Sequence, residues 1–401
     1  FKQKTAYEIM PSLVGSEMCI RDSSILKQTF EDFEFLIIDD ASTDESASVI
    51  LSYSDKRIRF VQNESNVGQV RCQNIGLDLA RGKYIARLDQ DDSSLATRLH
   101  RQVNLMESEH RLAVVGTWMS KVDDNGHEID LWRGKVDDPA DYLFTSLTNS
   151  LPLYHPSVMF RRDAVMSVNG YDESLPYCED QDLWRRLALA GYEARVIPEP
   201  LTRYRIHVGQ QSVSKANIQS DNLIFALERF MKAFVDEDAV RPLRLLMTCE
   251  SILGAEFWDM CSSPKVTKEY CQHLIEMLGE IGCKLKLTHT QYSKLEHLIR
   301  CHTAYASLRA WRSGISRQWS ASLPMYIFAL QGGSSIIFKY HIWIYPVIYI
   351  MAPVLLFLRT VKRLALRSFY IQRCYSSIKR IAKRSDAIRY WYRKIRYFNT
   401  T

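Results

Sequence analysis

The chain has 401 residues, 46% hydrophobic and 24% charged, an ordinary globular composition with room for two domains or one domain and an appendage. The net charge of +6 hides an asymmetry: residues 359–401 hold thirteen Lys and Arg against one Asp, a balance of +12, which leaves about −6 for residues 1–358. The nine cysteines, an odd number without any CxxC pair, argue against a structural zinc site and favour a reducing compartment.

Residues 1–23 show neither strand alternation nor a helical stripe, and they lack the layout of a signal peptide. They resemble a translated adapter scar at the end of an assembled gene. We therefore treat this segment as non-native and begin at Ser24, where residues 25–27 read as the tail of a helix.

The next part of the chain alternates strands and helices. The pattern predicts strands at 33–38, 58–62 and 82–88, with helices from about 44 to 53 and from 69 to 80. Ser42 or Thr43 can cap the first of these helices. Strand, helix, strand, helix, strand implies an α/β domain with a mostly parallel sheet and helices on both faces.

The third strand ends in three carboxylates within four positions, Asp89, Asp91 and Asp92. Carboxylates this close repel one another unless a cation lies between them, and Mg²⁺ or Mn²⁺ is the usual partner of oxygen ligands. The alternative is an acidic solvated turn. A second acidic strand end, Asp39-Asp40, favours the metal site, because two such ends can converge on one crevice of an open sheet.

The domain continues to about residue 212. We predict a helix at 99–107, strands at 114–117 and 155–162, and a hairpin turn at 123–126. Glu179 and Asp180 open a helix whose apolar positions are 183, 184 and 187. Asp180 stands where a helix needs a cap, so a capping role is the alternative to a catalytic one.

Several motifs together resemble those of family 2 glycosyltransferases. They are Gln28-Thr29-Phe30, Ile37 to Asp44, Asn66-Val67-Gly68, Arg71 to Gly76, Gly82 to Ile85, Asp89-Gln90-Asp91-Asp92, Glu179-Asp180 before Asp182-Leu183-Trp184, and Tyr204 to Ser212 with its His207. Each motif alone is weak, but their order and spacing are specific. The resemblance implies a GT-A type Rossmann-like fold, followed here by an α-helical C-terminal region.

The resemblance also implies roles for individual residues. The nucleotide-binding residues are Asp39, Asp40, Arg71, Asn74 and Asp89; the metal ligands are Asp91, with Asp89 or Asp92, and His207; the catalytic base is Asp180, or Glu179 beside it. The expected reaction moves a sugar from a nucleotide sugar, a UDP-sugar, to an acceptor hydroxyl with inversion, using Mn²⁺ or Mg²⁺. The acceptor would be a glycan or a lipid-linked sugar in cell-envelope synthesis.

The sequence departs from the family pattern in two places. The family's first strand should precede Ser24, where the scar-like segment stands, so we expect a chain that lacks this strand and part of its nucleotide pocket. Ala96-Thr97 replaces the usual Pro-Asp after the acidic cluster, which affects a helix start more than chemistry.

The rest of the chain divides into three parts. Residues 213–320 form helices with core-facing stripes that include Phe225 and Ile275. Residues 321–358 form a membrane-associating segment: 342–358 is uncharged, but it is short for a span and contains two prolines, and a buried soluble helix is the alternative. Residues 359–401 form a basic tail expected to lie on the cytoplasmic face of a membrane.

Three other functions compete with this reading. A sugar-phosphate nucleotidyltransferase shares the sheet type and the metal carboxylates. A nucleic-acid-binding protein could use the basic, aromatic tail, although the adjoining apolar segment favours lipid and no nucleic acid. A non-catalytic protein could retain the fold and bind nucleotide. No Gln-x-x-Arg-Trp motif is present, which favours addition of one or a few sugars over polymerisation.

Overall fold

The computed structural model describes residues 23–150, 152–207, 210, 214–248 and 264–312. All of them belong to the first of two compact units, Phe1–Gly332. The predicted scar-like segment, apart from its last residue, lies outside the described residues, as do the membrane-associating segment and the basic tail. Among the described residues, no helix is both long and apolar enough to cross a membrane.

The first part of the domain is a two-stranded parallel sheet with helices. Its elements are β1 (Phe35–Asp39), α1 (Ser46–Leu51), β2 (Ile58–Gln62) and α2 (Gln69–Leu79). Strand β1 pairs with β2 in parallel, as a helical crossover requires. Alternate residues of β1 enter different apolar clusters, Phe35 and Ile37 on one side and Leu36 and Ile38 on the other. The sheet is therefore covered on both faces, as predicted.

A six-stranded sheet forms the centre of the domain. Its strands are β3 (Tyr84–Ala86), β4 (Ser93–Ser94), β5 (Leu112–Val122), β6 (Glu128–Trp132), β7 (Met159–Arg161) and β8 (Glu193–Arg205). They lie in the order β3-β7-β5-β8-β4, and β6 pairs with β5 as a hairpin. The predicted turn at 123–126 is confirmed, because Gly126 N donates to Asp123 O at 2.9 Å. The helices between these strands are α3 (Arg98–Ser108), α4 (Pro139–Leu147), α5 (Arg162–Ser167) and α6 (Glu179–Leu189).

The α/β fold class is confirmed, but the sheet is mixed rather than mostly parallel. Among the described strands, β1 with β2 and β5 with β8 are parallel, and the other pairs are antiparallel. The reason is that β3 pairs with β7, which returns from a distant part of the chain, and local strand and helix order cannot reveal such a partner. Before β7, residues His155–Ser157 form a 3₁₀ turn instead of the predicted strand.

Four further helices complete the described chain: α7 (Ala216–Met231), α8 (Glu237–Thr248), α9 (Pro264–Lys284) and α10 (His289–Arg312). Helix α7 packs on α6 and α10 packs on α4, so the predicted helical region extends the core of the sheet. Phe225 and Ile275, predicted to face the core, are 54% and 44% exposed. Both lie on the solvent side of helices that bury other apolar residues, such as Phe230 in α7 and Leu274 in α9.

Candidate active site

The first acidic strand end, Asp39-Asp40, is saturated with hydrogen bonds from the chain itself. Asp40 accepts from Asn63 Nδ2 at 2.9 Å, Val67 N at 2.9 Å and Gly68 N at 2.8 Å. Burial of Asp40 opposes ionisation, but these donors outweigh it and hold the pKa of its carboxyl below the usual value. The carboxylate of Asp40 thereby shapes the loop that leads into α2.

Asp39 is bonded in the same way. Its carboxylate accepts from Gln62 Nε2 at 2.8 Å and from the backbone N and the hydroxyl of Ser42. Ser42 is therefore engaged at the end of β1, and α1 begins later, at Ser46, without a side-chain cap from Ser42 or Thr43. The predicted nucleotide-binding role of Asp39 and Asp40 stays a prediction.

Helix α2 carries the next two predicted residues toward the turn that precedes α6. Asn74 donates to Tyr171 O at 3.0 Å and accepts from Tyr171 N at 2.9 Å, which ties segments 97 residues apart. Arg71 lies one turn earlier, with 59% of its side chain exposed, and its Nη1 is 3.2 Å from Glu173 Oε1. Asn74 is thus a structural link, whereas Arg71 remains reachable from solvent.

The second acidic strand end, Asp89 to Asp92, is fastened to the end of β8. Strand β4 pairs with β8, with Ser93 opposite Arg203, so the residues flanking this pair come together. Asp92 Oδ1 accepts from Arg205 N at 3.0 Å. Asp91 Oδ2 is 2.9 Å from His207 Nε2. The structure therefore brings Asp91, Asp92 and His207 into one cluster.

These carboxylates oppose one another's ionisation. Burial raises the pKa of Asp91 and the charge of Asp89 raises it further, while His207 acts in the opposite direction. Asp92 is 2% exposed, and burial, followed by the charges of Asp89 and Asp91, raises its pKa well above the usual value. Its Oδ2 is buried without a hydrogen-bond partner. A cation beside this loop would relieve the repulsion.

A preformed metal cage is absent from the described part of the chain. Nowhere in it are three or more His, Cys, Asp and Glu side chains arranged to hold an ion. The partly exposed members of the cluster are Asp91 and His207, whose side chains are 16% and 22% exposed. The metal-ligand roles of Asp91, Asp92 and His207 stay predictions.

The predicted catalytic pair opens helix α6. The cap position is Cys178, so Asp180 lies in the first turn of the helix and not at the N-cap. Asp180 Oδ1 accepts from Gln181 N at 2.7 Å. Glu179 turns toward α2, where its Oε1 accepts from Gln73 Nε2 at 3.3 Å. The start of α6 is thereby held against α2, the helix that follows β2.

The two carboxyls of this pair differ in environment. Burial raises the pKa of Asp180 to about 7, and the charge of Glu179 adds to the effect. Glu179 is 4% exposed, and burial raises its pKa as well. Asp180 is partly exposed. A reachable carboxyl that exchanges its proton near neutral pH has the properties of a general acid or base.

Sequence reasoning missed the buried groups beneath these carboxyls. Arg87 is 2% exposed and its Nη1 lies 2.5 Å from Asp89 Oδ1. His155 Nε2 is 2.9 Å from Tyr171 Oη, and burial, with the charge of Arg87, lowers the pKa of His155 well below the usual value. Arg87 carried a usable signal, because an arginine inside an apolar strand needs a buried partner. No comparable pattern marks Tyr171.

Comparison with known proteins agrees with the resemblance seen in the motifs. The model of glycosyl transferase family 2 matches residues 23–168. An uncharacterized glycosyltransferase of Methanocaldococcus jannaschii is 34% identical over 207 residues, which cover 49% of this chain and 69% of that protein. The E. coli UDP-Glc:alpha-D-GlcNAc-diphosphoundecaprenol beta-1,3-glucosyltransferase is 28% identical over 48% of this chain and 73% of its own length.

Among solved structures, residues 1–349 of S. aureus TarS in complex with UDP-GlcNAc align with 77% of this chain and 92% of their own. The identity is 16% and the TM-score 0.48. The sequence relationships decide the assignment, and they favour glycosyl transfer over the nucleotidyltransferase alternative. The chain belongs to glycosyltransferase family 2 and is a transferase with a GT-A type α/β fold.

Proposed function

We propose that this glycosyltransferase moves a sugar from a UDP-sugar to an acceptor hydroxyl with inversion at the anomeric carbon. The observation that carries the proposal is Asp180: it is partly exposed, its pKa is about 7, and the charge of Asp89 acts on its neighbour Glu179. A candidate base and the acidic loop therefore share one electrostatic environment. The related E. coli enzyme, named for its use of UDP-Glc, supports the choice of nucleotide.

The acidic loop would form the donor side. Asp91 and His207 are the residues that would hold Mn²⁺ or Mg²⁺, and two protein ligands fit such an ion because phosphate oxygens and water usually complete its shell. When bound, the ion supplies Lewis-acid neutralisation of the leaving diphosphate. Asp92 is buried and bonded to Arg205 N, so we assign it to holding the loop on β8.

The start of α6 would form the acceptor side. Asp180 accepts the proton of the acceptor hydroxyl as that oxygen attacks the anomeric carbon, and a general base contributes roughly 10²- to 10⁴-fold to such a step. Burial, assisted by the charge of the adjacent Glu179, keeps the pKa of Asp180 near 7. One base opposite the leaving group gives a single displacement, and hence inversion.

The acceptor we propose is a glycan or lipid-linked sugar at the cytoplasmic face of a membrane. Its support is the uncharged stretch at 342–358 followed by the basic residues 359–401, a composition suited to anionic lipid. The E. coli relative acts, by its name, on a lipid-diphosphate-linked GlcNAc. Nucleic acid is not among the proposed partners.

The test is a donor panel on the purified full chain. Thermal unfolding is measured with UDP, GDP and dTDP, each with Mn²⁺, with Mg²⁺ or with EDTA. We expect a metal-dependent rise in Tm with UDP that is lost in Asp91→Ala and kept in Asp78→Asn, which removes an exposed carboxylate on α2. UDP-sugars are then assayed for release of UDP, and the product anomer is assigned by NMR.

The outcomes separate the parts of the proposal. A rise in Tm with GDP or dTDP instead of UDP would show that the donor carries a different nucleotide. A rise in Tm with UDP that is equally large in EDTA would contradict the proposed role of the metal. Retention of the anomeric configuration would overturn the single displacement by Asp180.

A further inference from the structure

Helix α7 contacts the segment that carries the candidate base through the guanidinium of Arg229. Arg229 Nη1 donates to Asp172 Oδ2 at 2.9 Å, and Arg229 Nη2 donates to Asp182 Oδ1. Asp180 lies between these two aspartates in the chain. One side chain of α7 therefore contacts both ends of the segment 172–182.

Both aspartates are also bonded within their own part of the chain. Asp172 Oδ1 accepts from Ser174 N at 3.0 Å and from Ser174 Oγ at 2.6 Å. Burial opposes ionisation of Asp172, but hydrogen bonds from Ser174 and Arg229 outweigh it and lower its pKa to about 2. Asp182 is 1% exposed, and its Oδ2 accepts from Arg186 Nε at 2.7 Å. Each aspartate thus uses one oxygen for its own part of the chain and the other for α7.

Two side-chain amides of α7 bind the backbone between these aspartates. Gln219 Nε2 donates to Tyr177 O at 3.0 Å, and Asn222 Nδ2 donates to Pro176 O at 2.8 Å. Tyr177 has a φ of 66°, a left-handed conformation that bulky residues rarely adopt. Such a conformation persists only when the surrounding structure holds it. Helix α7 gives this support directly before the start of α6.

The same segment also contacts helix α2. Gln73 Nε2 donates to Glu179 Oε1 at 3.3 Å, and Asn74 Nδ2 donates to Glu173 Oε1 at 3.2 Å. The segment is therefore bonded to a helix of the first part of the domain and to a helix of the C-terminal region. The α7 contacts come from outside residues 23–168, which the family model matches.

We propose that Arg229 is a positioning residue for the candidate base: by bridging Asp172 and Asp182, it holds the segment between them in the conformation used for glycosyl transfer. The proposal rests on the proposed function, in which Asp180 is the base. A general base must lie within hydrogen-bond reach of the acceptor hydroxyl. A misplacement of about 1 Å can cost roughly 10²-fold in rate.

The first experiment needs no ligand. Hydrogen–deuterium exchange of the full chain is compared for wild type and Arg229→Met. The reporters are the backbone N–H groups of Leu175, Cys178 and Asp182, which donate to carbonyls within 172–182. Arg229→Met should speed their exchange about tenfold, the size expected when hydrogen bonds to charged groups are lost.

Glu228→Gln is the matched control, because Glu228 is the neighbour of Arg229 in α7 and its Oε1 lies 2.7 Å from Arg244 Nε on α8. It should leave exchange in the segment 172–182 unchanged. Arg229→Lys keeps the charge without the planar, two-armed guanidinium, so its exchange should lie between that of wild type and that of Arg229→Met. It takes the place of Arg229→Met if that variant does not fold. Wild-type exchange in both Arg229 variants, or equal acceleration in Glu228→Gln, would overturn the proposal.

The second experiment measures steady-state kinetics with the donor that is active in the panel above, well below the Tm of each variant. Arg229→Met should lower kcat by about tenfold or more and leave KM for the donor within about twofold, because Asp91 and His207 form the proposed donor side. Arg229→Lys should recover part of kcat, and Glu228→Gln should keep the wild-type value.

A wild-type kcat in Arg229→Met, or an equal loss in Glu228→Gln, would count against the proposal. A rise in KM for the donor with unchanged kcat would also contradict it, since the base would then be in place. If no donor turns over in wild type, the proposed function fails, and the exchange experiment still decides whether Arg229 holds the segment 172–182.

Discussion

The two acidic strand ends look alike in sequence and behave in opposite ways in the structure. Asp40 accepts three hydrogen bonds from the loop at 63–68, and the pKa of its carboxyl is lowered. Burial raises the pKa of Asp91 and of Asp92, and the charges of neighbouring carboxylates raise each pKa further. The presence of two aspartates at a strand end therefore does not determine their role, because the surrounding hydrogen-bond donors decide whether the negative charge is stabilised.

The difference separates stability from chemistry. A carboxylate whose oxygens are all bonded stabilises the fold and has little capacity left for a ligand. A carboxylate held among like charges costs stability and gains when a cation or a proton arrives. By this criterion we assign the β1 end to the structural frame, and the loop after β3 and the start of α6 to the proposed reactive part of the site. Replacing one residue at a time tests this division.

The largest effect should come from the reactive part. Asp180→Asn removes the proposed base with little change of shape, so turnover should fall by roughly 10²- to 10⁴-fold. Tm at about pH 8 should stay equal or rise, because one of two adjacent like charges is lost. The measurements are steady-state turnover of the active UDP-sugar and thermal unfolding.

Asp78→Asn is the matched control for that prediction, since Asp78 is an exposed carboxylate on α2. It should change neither turnover nor Tm. If Asp180→Asn kept near wild-type turnover, another group would be the base, and Glu179 would be the next candidate. If Asp180→Asn lowered Tm strongly together with turnover, the loss of activity would be explained by lost stability, and Asp180 would belong to the structural frame.

The frame side should give the reverse result. Asp40→Asn replaces one acceptor oxygen with an NH₂ group, which leaves a backbone N–H of Val67 or Gly68 without its partner. We expect a loss of about 2 kcal/mol in the free energy of unfolding, measured by urea denaturation. The free energy of UDP binding to the folded protein should change less than the free energy of unfolding does. Unchanged stability with lost UDP binding would reverse the division drawn between the two strand ends.

Much of this arrangement could be predicted from the sequence because its signals are local. The strand, helix and turn pattern predicted β1, β2, α2, α6 and the hairpin, and the crowding of Asp89 to Asp92 marked the acidic loop. The motifs of family 2 marked the start of α6 as part of the candidate site. Local patterns were sufficient wherever the partner of a residue lay within a few positions.

The remaining features depend on contacts between distant segments. The pairing of β3 with β7, and hence the mixed sheet, joins strands more than 70 residues apart. The different fates of Asp40 and Asp92 depend on which donors reach them, and the backbone N–H that binds Asp92 comes from Arg205. The link from Asn74 to Tyr171 spans 97 residues. No periodicity in a single sequence encodes such partners.

The pH dependence of turnover gives the next, smaller effect. The folded-state pKa of Asp180 is raised to about 7, above its value in an unfolded chain. The base must be deprotonated, so turnover should fall about tenfold per pH unit below about 7 and level off above it. Since the folded state binds this proton more readily, stability should rise as pH falls through about 7. Asp180→Asn should remove the acid limb of turnover and the contribution of Asp180 to the pH dependence of stability, and an acid limb near pH 4 in the wild type would contradict the assignment.

The smallest effect should come from Arg71, which lies on the same helix as Asn74 and is not part of either acidic strand end. Its ion pair with Glu173 is 59% and 44% exposed, so Arg71→Ala should cost less than about 0.5 kcal/mol of stability. Affinity for UDP should fall roughly tenfold, the loss expected for one hydrogen bond to a charged group. Glu173→Ala should leave UDP affinity equal or higher, because it frees the guanidinium. Equal UDP affinity in wild type and Arg71→Ala would show that Arg71 does not contact the nucleotide.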